Sequence, residues 1–311
     1  MPSPHAIAIV GAGLAGAKAA EGARSSGFDG RIVLVGDESE LPYERPPLSK
    51  AVLRGEAPPA SAQVHDAAFY VEHDIELLTG RTVTALDPDG HELHLADGER
   101  VPYSAAVLAT GSSPRRLGVP GNDLDGIHHL RTTGESVRLR EAAHDAERIA
   151  VVGAGWIGSE VAASLRQIGA EVVLIDPLSS PLQRVLGEEI GTMLAGLHQH
   201  QGVKLRMGLG VAELRGRDRV AEVVLDNGDV EHADLVVVGV GVLPNVELAH
   251  RAGLRVEDGV VTDELLRTSA RNVFAAGDIA SAWHPHYRRH LRVEHWANAL
   301  HQGTVAGANA A

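Results

Sequence analysis

The sequence predicts an α/β chain of two Rossmann-like dinucleotide-binding domains, three-layer ββα in type, each carrying a small antiparallel β meander. Two observations carry that prediction. The stretch Ile7-Ala8-Ile9-Val10-Gly11-Ala12-Gly13-Leu14-Ala15-Gly16 recurs in its logic at Ile149-Ala150-Val151-Val152-Gly153-Ala154-Gly155-Trp156-Ile157-Gly158. In each, an apolar run passes straight into Gly-x-Gly-x-x-Gly, the pattern of a buried strand turning into a helix. The first Gly makes the turn, the second lets backbone approach a pyrophosphate, and the third lets helix and strand pack closely. The diphosphate then rests on the helix N-terminus. Two such turns predict two dinucleotides on one chain, the signature of a flavoprotein that also binds a nicotinamide nucleotide.

Composition narrows the chemistry. With 311 residues, 44% hydrophobic and 22% charged, the chain can bury two cores. A formal charge of −13, from 28 basic and 41 acidic residues, argues against nucleic-acid binding or an anionic-membrane surface. No apolar run reaches the ~20 residues needed to span a bilayer. The first apolar run is already the first strand, with no basic region before it, so a cytoplasmic protein is expected. Cysteine is absent. Thiolate metal sites, iron–sulfur ligation and redox-active thiol pairs are thereby excluded, and no metal site is expected. Any redox reaction must be carried by bound cofactors.

In chain order, strand 31–35 follows the first helix and leads through Gly36 to Asp37, about twenty residues after Gly16, where an acid can accept from ribose hydroxyls. A turn or helix-cap role is the alternative. The segment Leu41-Pro42-Tyr43-Glu44-Arg45-Pro46-Pro47-Leu48-Ser49-Lys50 is too proline-rich for a helix interior and leads to a short helix near Ser49. It is either a rigid loop holding Arg45 and Lys50 beside a cofactor or a plain solvent loop. Between Arg81 and Val101 the turn signals Asp89-Gly90 and Asp97-Gly98 mark a meander, after which a strand ends in Ala109-Thr110-Gly111. A second domain, 112–238, is inserted between 1–111 and 239–311. Its strand 171–175 ends at Asp176, where an acid favours the free 2′-hydroxyl of NADH over the 2′-phosphate of NADPH. Arg184 nearby is either a nucleotide contact or a solvated side chain. A meander with Asn227-Gly228 and a strand leading to Val240 and Gly241 complete the repeat. Near the end, a strand runs into Gly277-Asp278, placing a carboxylate either on cofactor hydroxyls or at a helix cap. The densest basic run of this acidic chain follows, with Arg288, Arg289 and Arg292, and then the start of a small-residue helix.

These features together resemble the FAD-dependent, NADH-linked ferredoxin and rubredoxin reductases of bacterial oxygenase systems, relatives of apoptosis-inducing factor in the glutathione-reductase structural class. Beside the glycine turns, the carriers are Tyr43-Glu44-Arg45-Pro46-Pro47-Leu48-Ser49-Lys50, Ala109-Thr110-Gly111, Leu130-Arg131-Thr132, Gly239-Val240-Gly241-Val242-Leu243-Pro244-Asn245, Phe274-Ala275-Ala276-Gly277-Asp278 and Glu294-His295-Trp296-Ala297-Asn298-Ala299. The resemblance implies an FAD site from Gly11, Gly13, Ala15, Gly16, Asp37, Arg45, Lys50, Val83, Ala109, Thr110, Gly111, Arg131, Gly277, Asp278, Glu294, His295 and Trp296. It implies an NAD site from Gly153, Gly155, Ile157, Gly158, Glu160, Asp176, Arg184, Val240 and Gly241.

It further implies that Lys50 lies near the flavin and pairs with Glu160, an arrangement in which a cation stabilises reduced flavin while its partner compensates the charge. An early-helix acid placed by the dipole is the alternative for Glu160. Trp156 falls where the family has a bulky aromatic over the flavin face; core packing is its alternative. The implied activity is NADH oxidation through FAD to a one-electron carrier, ferredoxin or rubredoxin, with docking at Arg288, Arg289 and Arg292 against a solvated loop as the bland reading. Another acceptor, such as monodehydroascorbate or a quinone, and a nucleotide-sensing role like that of apoptosis-inducing factor stay open. The family's C-terminal interface domain is expected to be absent from this chain.

Overall fold

The computed structural model describes residues 5–311, which divide into two compact units: 5–44 with Gln63–Ser113 and Pro244–Ala311, and Arg45–Ala62 with Pro114–Leu243. Residues 45–62, expected within the first domain, group instead with the second unit.

The first unit is built on a five-stranded parallel sheet in the order Val273–Ala275, Ala105–Leu108, Ala6–Val10, Arg31–Val35, Ile75–Leu78. Strand Ala6–Val10 is buried throughout, and its alternation sorts side chains onto two cores. Ile7 and Ile9 face Ala19, Ala20 and Ala23 of helix Leu14–Ser25, together with Ile32 and Leu34. Ala8 and Val10 join Leu86, Leu93, Leu95 and Val101 of the antiparallel meander Val83–Asp87, Glu92–Leu95, Arg100–Pro102. Helix, sheet and meander thus form the three predicted layers. The closing helix, Trp296–Ala310, lies directly on helix Leu14–Ser25. A Cβ on Gly303 would be driven into the Ala15 carbonyl, and one on Gly307 into that of Ala19.

Residues 280–292 carry strands that the basic run does not announce. They form a hairpin, Ala280–His284 with Arg289–Arg292, in a four-stranded sheet with Gly259–Thr262 and Val256–Glu257. The turn depends on Arg288 taking a left-handed conformation, φ 52°, that no glycine advertises.

The second unit repeats the plan. Its parallel sheet runs Lys204–Met207, Glu171–Asp176, Arg148–Val152, Leu235–Val238, Ile127–His128. Ala150, Val152, Val173 and Ile175 pack on Leu214, Val223 and Leu225 of the meander Val211–Gly216, Val220–Leu225, Val230–His232. Helix Trp156–Gln167 follows the glycine turn, and helix Thr133–His144 opens with a reciprocal cap between Thr132 and Glu135. Pro46–Ser49 is a single 3-10 turn rather than an α-helix, because its two prolines remove backbone donors. Among the described residues no helix is long and apolar enough to cross a membrane.

Two glycine turns and a buried serine beside an ion pair

The three glycines of each turn are required by different things. In the first unit Gly11 has φ 108°, donates its N–H to Val35 O (2.8 Å) and sits so close to Ala109 that a Cβ would overlap the carbonyl oxygen. A Cβ on Gly16 would overlap the carbonyl of Gly11. Gly13 is different: it caps helix Leu14–Ser25 in extended conformation, and a Cβ there meets nothing within 4 Å. The second unit behaves identically. Gly153, φ 99°, is confined by Gly239, and Gly158 by Gly153, while a Cβ on Gly155 meets nothing within 4 Å. Neither cap carries a side-chain hydrogen bond, and neither first turn carries an acid. Each helix therefore presents uncapped N–H donors across a glycine that the protein's own packing does not demand, which fits a phosphate-bearing ligand.

Around the first turn, Ala109 is buried, Gly111 has φ 68°, and Thr110 is fixed by two reciprocal bonds with Asn245: Thr110 Oγ1 donates to its carbonyl and Asn245 Nδ2 donates back, both at 2.8 Å. A Cβ on Gly277 would approach Ala15 Cβ to 3.0 Å, and Gly277 N donates to Gln302 Oε1 (3.0 Å), so the strand-end turn lies against the first helix. Asp278 does not cap a helix. It lies inside a 3-10 turn and accepts from Ser112 Oγ at 2.6 Å. Asp37 is exposed and makes no hydrogen bond among the described residues, set outward by Gly36, whose Cβ would collide with that of Ala12. Val83 begins the meander half-buried. Trp296, 40% exposed, opens the closing helix; His295 caps that helix by accepting from Ala297 N through Nδ1 (3.1 Å), leaving Nε2 as its N–H.

The basic run divides. Arg292 is turned inward, bound to Asp258 (2.8 Å) and Glu294 (2.5 Å). Burial opposes its charge, but those two carboxylates outweigh it and hold the guanidinium above its usual range. Arg288 and Arg289 stay exposed at the hairpin.

In the second unit the Asp176 carboxylate is already engaged. Oδ2 accepts from Ala154 N in the glycine turn (2.7 Å) and Oδ1 from Leu178 N (2.8 Å). Each oxygen keeps a lone pair for a ribose hydroxyl, so the acid ties its own loop while remaining an acceptor. Trp156 and Ile157 are 47% and 39% exposed at the start of the helix, which removes core packing as the reason for Trp156. Arg184 is exposed and forms no ion pair among the described residues. Val240 is half-buried, and Gly241, φ 105°, accepts from Arg115 N (2.9 Å).

The same unit assembles the pair expected from Lys50 and Glu160. Lys50 Nζ lies 2.6 Å from Glu160 Oε2, and it also donates to Pro46 O (3.1 Å). Arg45, at the head of that turn, donates to the carbonyl of Arg131, whose own N–H is bound by Glu135 (2.7 Å). Three serines not singled out by the sequence complete the arrangement. Ser49 Oγ donates to Glu160 Oε2 at 2.5 Å, Ser164 Oγ donates to Ser49 O at 2.6 Å, and Ser136 Oγ donates to Leu48 O at 2.7 Å. Helical spacing was the available signal for one of them, since Glu160 and Ser164 share a face at i and i+4.

The family model described as pyridine nucleotide-disulphide oxidoreductase matches residues 5–303. The chain belongs to that family. These 311 residues contain no cysteine, and so no thiol pair for the disulphide chemistry of the family description. It is 41% identical over 303 residues to rhodocoxin reductase of Rhodococcus erythropolis, covering 97% of this chain and 71% of that protein. It is 42% identical over 308 residues to the ferredoxin–NAD(+) reductase component of the anthranilate 1,2-dioxygenase system of Burkholderia cepacia, covering 99% and 76%. Among solved structures, the reductase in the covalent putidaredoxin reductase–putidaredoxin complex superposes with a TM-score of 0.94 at 36% identity, covering 99% of this chain and 75% of that one.

Proposed function

We propose that this chain is a flavoprotein reductase that passes electrons from NADH through FAD to a one-electron carrier, a ferredoxin. The observation that carries the reading is the pair of open glycines. Gly13 and Gly155 are spared any steric reason within the protein, so a ligand backbone is their reason in both units. Relatives named as ferredoxin–NAD(+) reductases supply the acceptor class. In this reading FAD takes the first turn, with Gly11, Gly13, Ala15, Gly16, Asp37, Ala109, Thr110, Gly111, Asp278 and Trp296. NADH takes the second, with Gly153, Gly155, Ile157, Gly158, Asp176 and Glu160.

When bound, FAD supplies the conversion of a two-electron donor into single-electron steps. What the chain's residues contribute is position and charge. Lys50 offers a cation held in place by Glu160 and the Pro46 carbonyl, so that no unpaired charge is left when the site is dry. Asp176 accepts from ribose hydroxyls and repels a 2′-phosphate. Arg288 and Arg289, exposed on an otherwise acidic chain, attract an acidic carrier. The reading has the protein work in the cytoplasm, where NADH is available.

The test is anaerobic NADH titration of the purified protein followed by cytochrome c reduction. Bleaching near 450 nm, with onward reduction that depends on added ferredoxin, is expected. Protein that purifies without flavin absorbance, and cannot be loaded with FAD, refutes the proposal.

A further inference from the structure

The Lys50–Glu160 pair leaves one choice undetermined. A carboxylate end rotates through a broad two-fold torsion, and a lysine ammonium is a rotatable point charge, so the pair alone does not decide which oxygen is engaged. Ser49 decides it. Its hydroxyl donates to Glu160 Oε2 at 2.5 Å, in the range of a charge-assisted bond, and Lys50 Nζ meets the same oxygen at 2.6 Å. Oε1 has no partner among the described residues. Ser49 is wholly buried, and its backbone is held from both sides by Ser164 Oγ on its own carbonyl and Ser136 Oγ on that of Leu48. A directional donor fixed on a fixed turn is what a carboxylate needs to be held in one rotation.

We propose that Ser49 is a positioning residue for the nicotinamide nucleotide: by occupying Oε2 jointly with Lys50, it presents Oε1 of Glu160 as the free acceptor for a donor group on that nucleotide. The assignment rests on the NADH reading above. Ser49 acts through Glu160 and touches no reacting atom. Its hydroxyl also has Pro46 O at 3.4 Å as a fallback acceptor, so losing Glu160 does not orphan it. That makes the two residues separable by a double-mutant cycle.

The measurement is the NAD(+) dissociation constant of the flavin-loaded protein by calorimetry, for wild type, Ser49→Ala, Glu160→Ala and the double variant, with a melting curve for each. Ser49→Ala is expected to weaken binding about tenfold, and Ser49→Cys, which keeps the volume but donates weakly, to behave like Ala. In the Glu160→Ala background the Ser49 substitution is expected to change binding less than about twofold. Unchanged binding in Ser49→Ala, or an equal loss in both backgrounds, overturns the proposal, the latter because it marks Ser49 as packing only. Wild-type protein that carries flavin yet binds no NAD(+) overturns the NADH reading and, with it, any donor for Oε1.

Discussion

Replacing Gly155 by alanine separates what the fold needs from what a ligand needs. Gly155 sits at φ −73°, ψ −167°, a conformation open to any residue, and the added Cβ meets nothing within 4 Å. At a helix cap alanine is worse than glycine by roughly 0.5–1 kcal/mol, and the stiffer unfolded chain returns about 0.4–1 kcal/mol. The net change in stability is therefore within about 1 kcal/mol, or roughly 4 °C in melting temperature for a unit of this size. The ligand side is larger. A methyl group standing between the helix N-terminus and a diphosphate removes at least two N–H bonds to a charged group, each worth about 1.5 kcal/mol, so binding falls about a hundredfold. Thermal melting paired with calorimetric NAD(+) titration reads both quantities. The neighbouring Gly158→Ala provides the contrast: its Cβ runs into the Gly153 carbonyl, so it is expected to unfold the unit or melt far lower. A Gly155→Ala protein that melts normally and binds NAD(+) as wild type does would refute the argument that the open glycine exists for the nucleotide.

Asp176→Asn removes the negative charge and replaces one acceptor of the Ala154 and Leu178 N–H groups by an amide donor. The NADPH-to-NADH ratio of kcat/KM is expected to rise at least tenfold, with stability lower by about 1 kcal/mol; an unchanged ratio would show that the carboxylate serves only the loop. Glu231 is buried, where burial raises its carboxyl, yet hydrogen bonds from Lys204 (2.7 Å) and Arg206 (2.5 Å) outweigh that and hold it below the usual carboxylate range. A lowered folded-state value means its contribution is complete above the unfolded-state value, about pH 4.3, and disappears as pH falls through the folded one. Glu231→Gln should cost about 2 kcal/mol at pH 7 and flatten the acid limb of the stability curve measured in urea; an acid limb as steep as in wild type would argue against it. Gly307→Ala, driven into the Ala19 carbonyl, should lower stability by about 1–3 kcal/mol, read as an earlier urea midpoint; an unchanged midpoint would show that the two helices can part at little cost.

Both parallel sheets, both glycine turns and both meanders were legible because their signals are local. An apolar run followed by glycines, or alternation broken by Asp-Gly and Asn-Gly, is a statement about neighbours in sequence. What was not legible depends on distant partners. Whether Arg292 points out or in is decided by Asp258 and Glu294, and the sequence ranks it no differently from Arg288. The grouping of residues 45–62 with the second unit follows from contacts such as Ser164 on Ser49 and Ser136 on Leu48, more than eighty residues apart in each case. Ser49 itself carries no periodic signal. It is a small polar residue beside a conspicuous lysine, and its importance becomes visible only once Glu160 is brought to it.

The contact between helices Leu14–Ser25 and Trp296–Ala310 has a consequence for how the polypeptide is made. A ribosome releases the first strand and helix early, with Ala15 and Ala19 facing nothing, and must translate on through residue 307 before Gly303 and Gly307 arrive to cover them. The residues 114–243 emerge in one continuous stretch meanwhile and can begin to collapse during synthesis. The first unit, by contrast, waits for a highly non-local closure, with a large entropic cost to its nucleation. Until then its small-residue helix surface stays open to solvent.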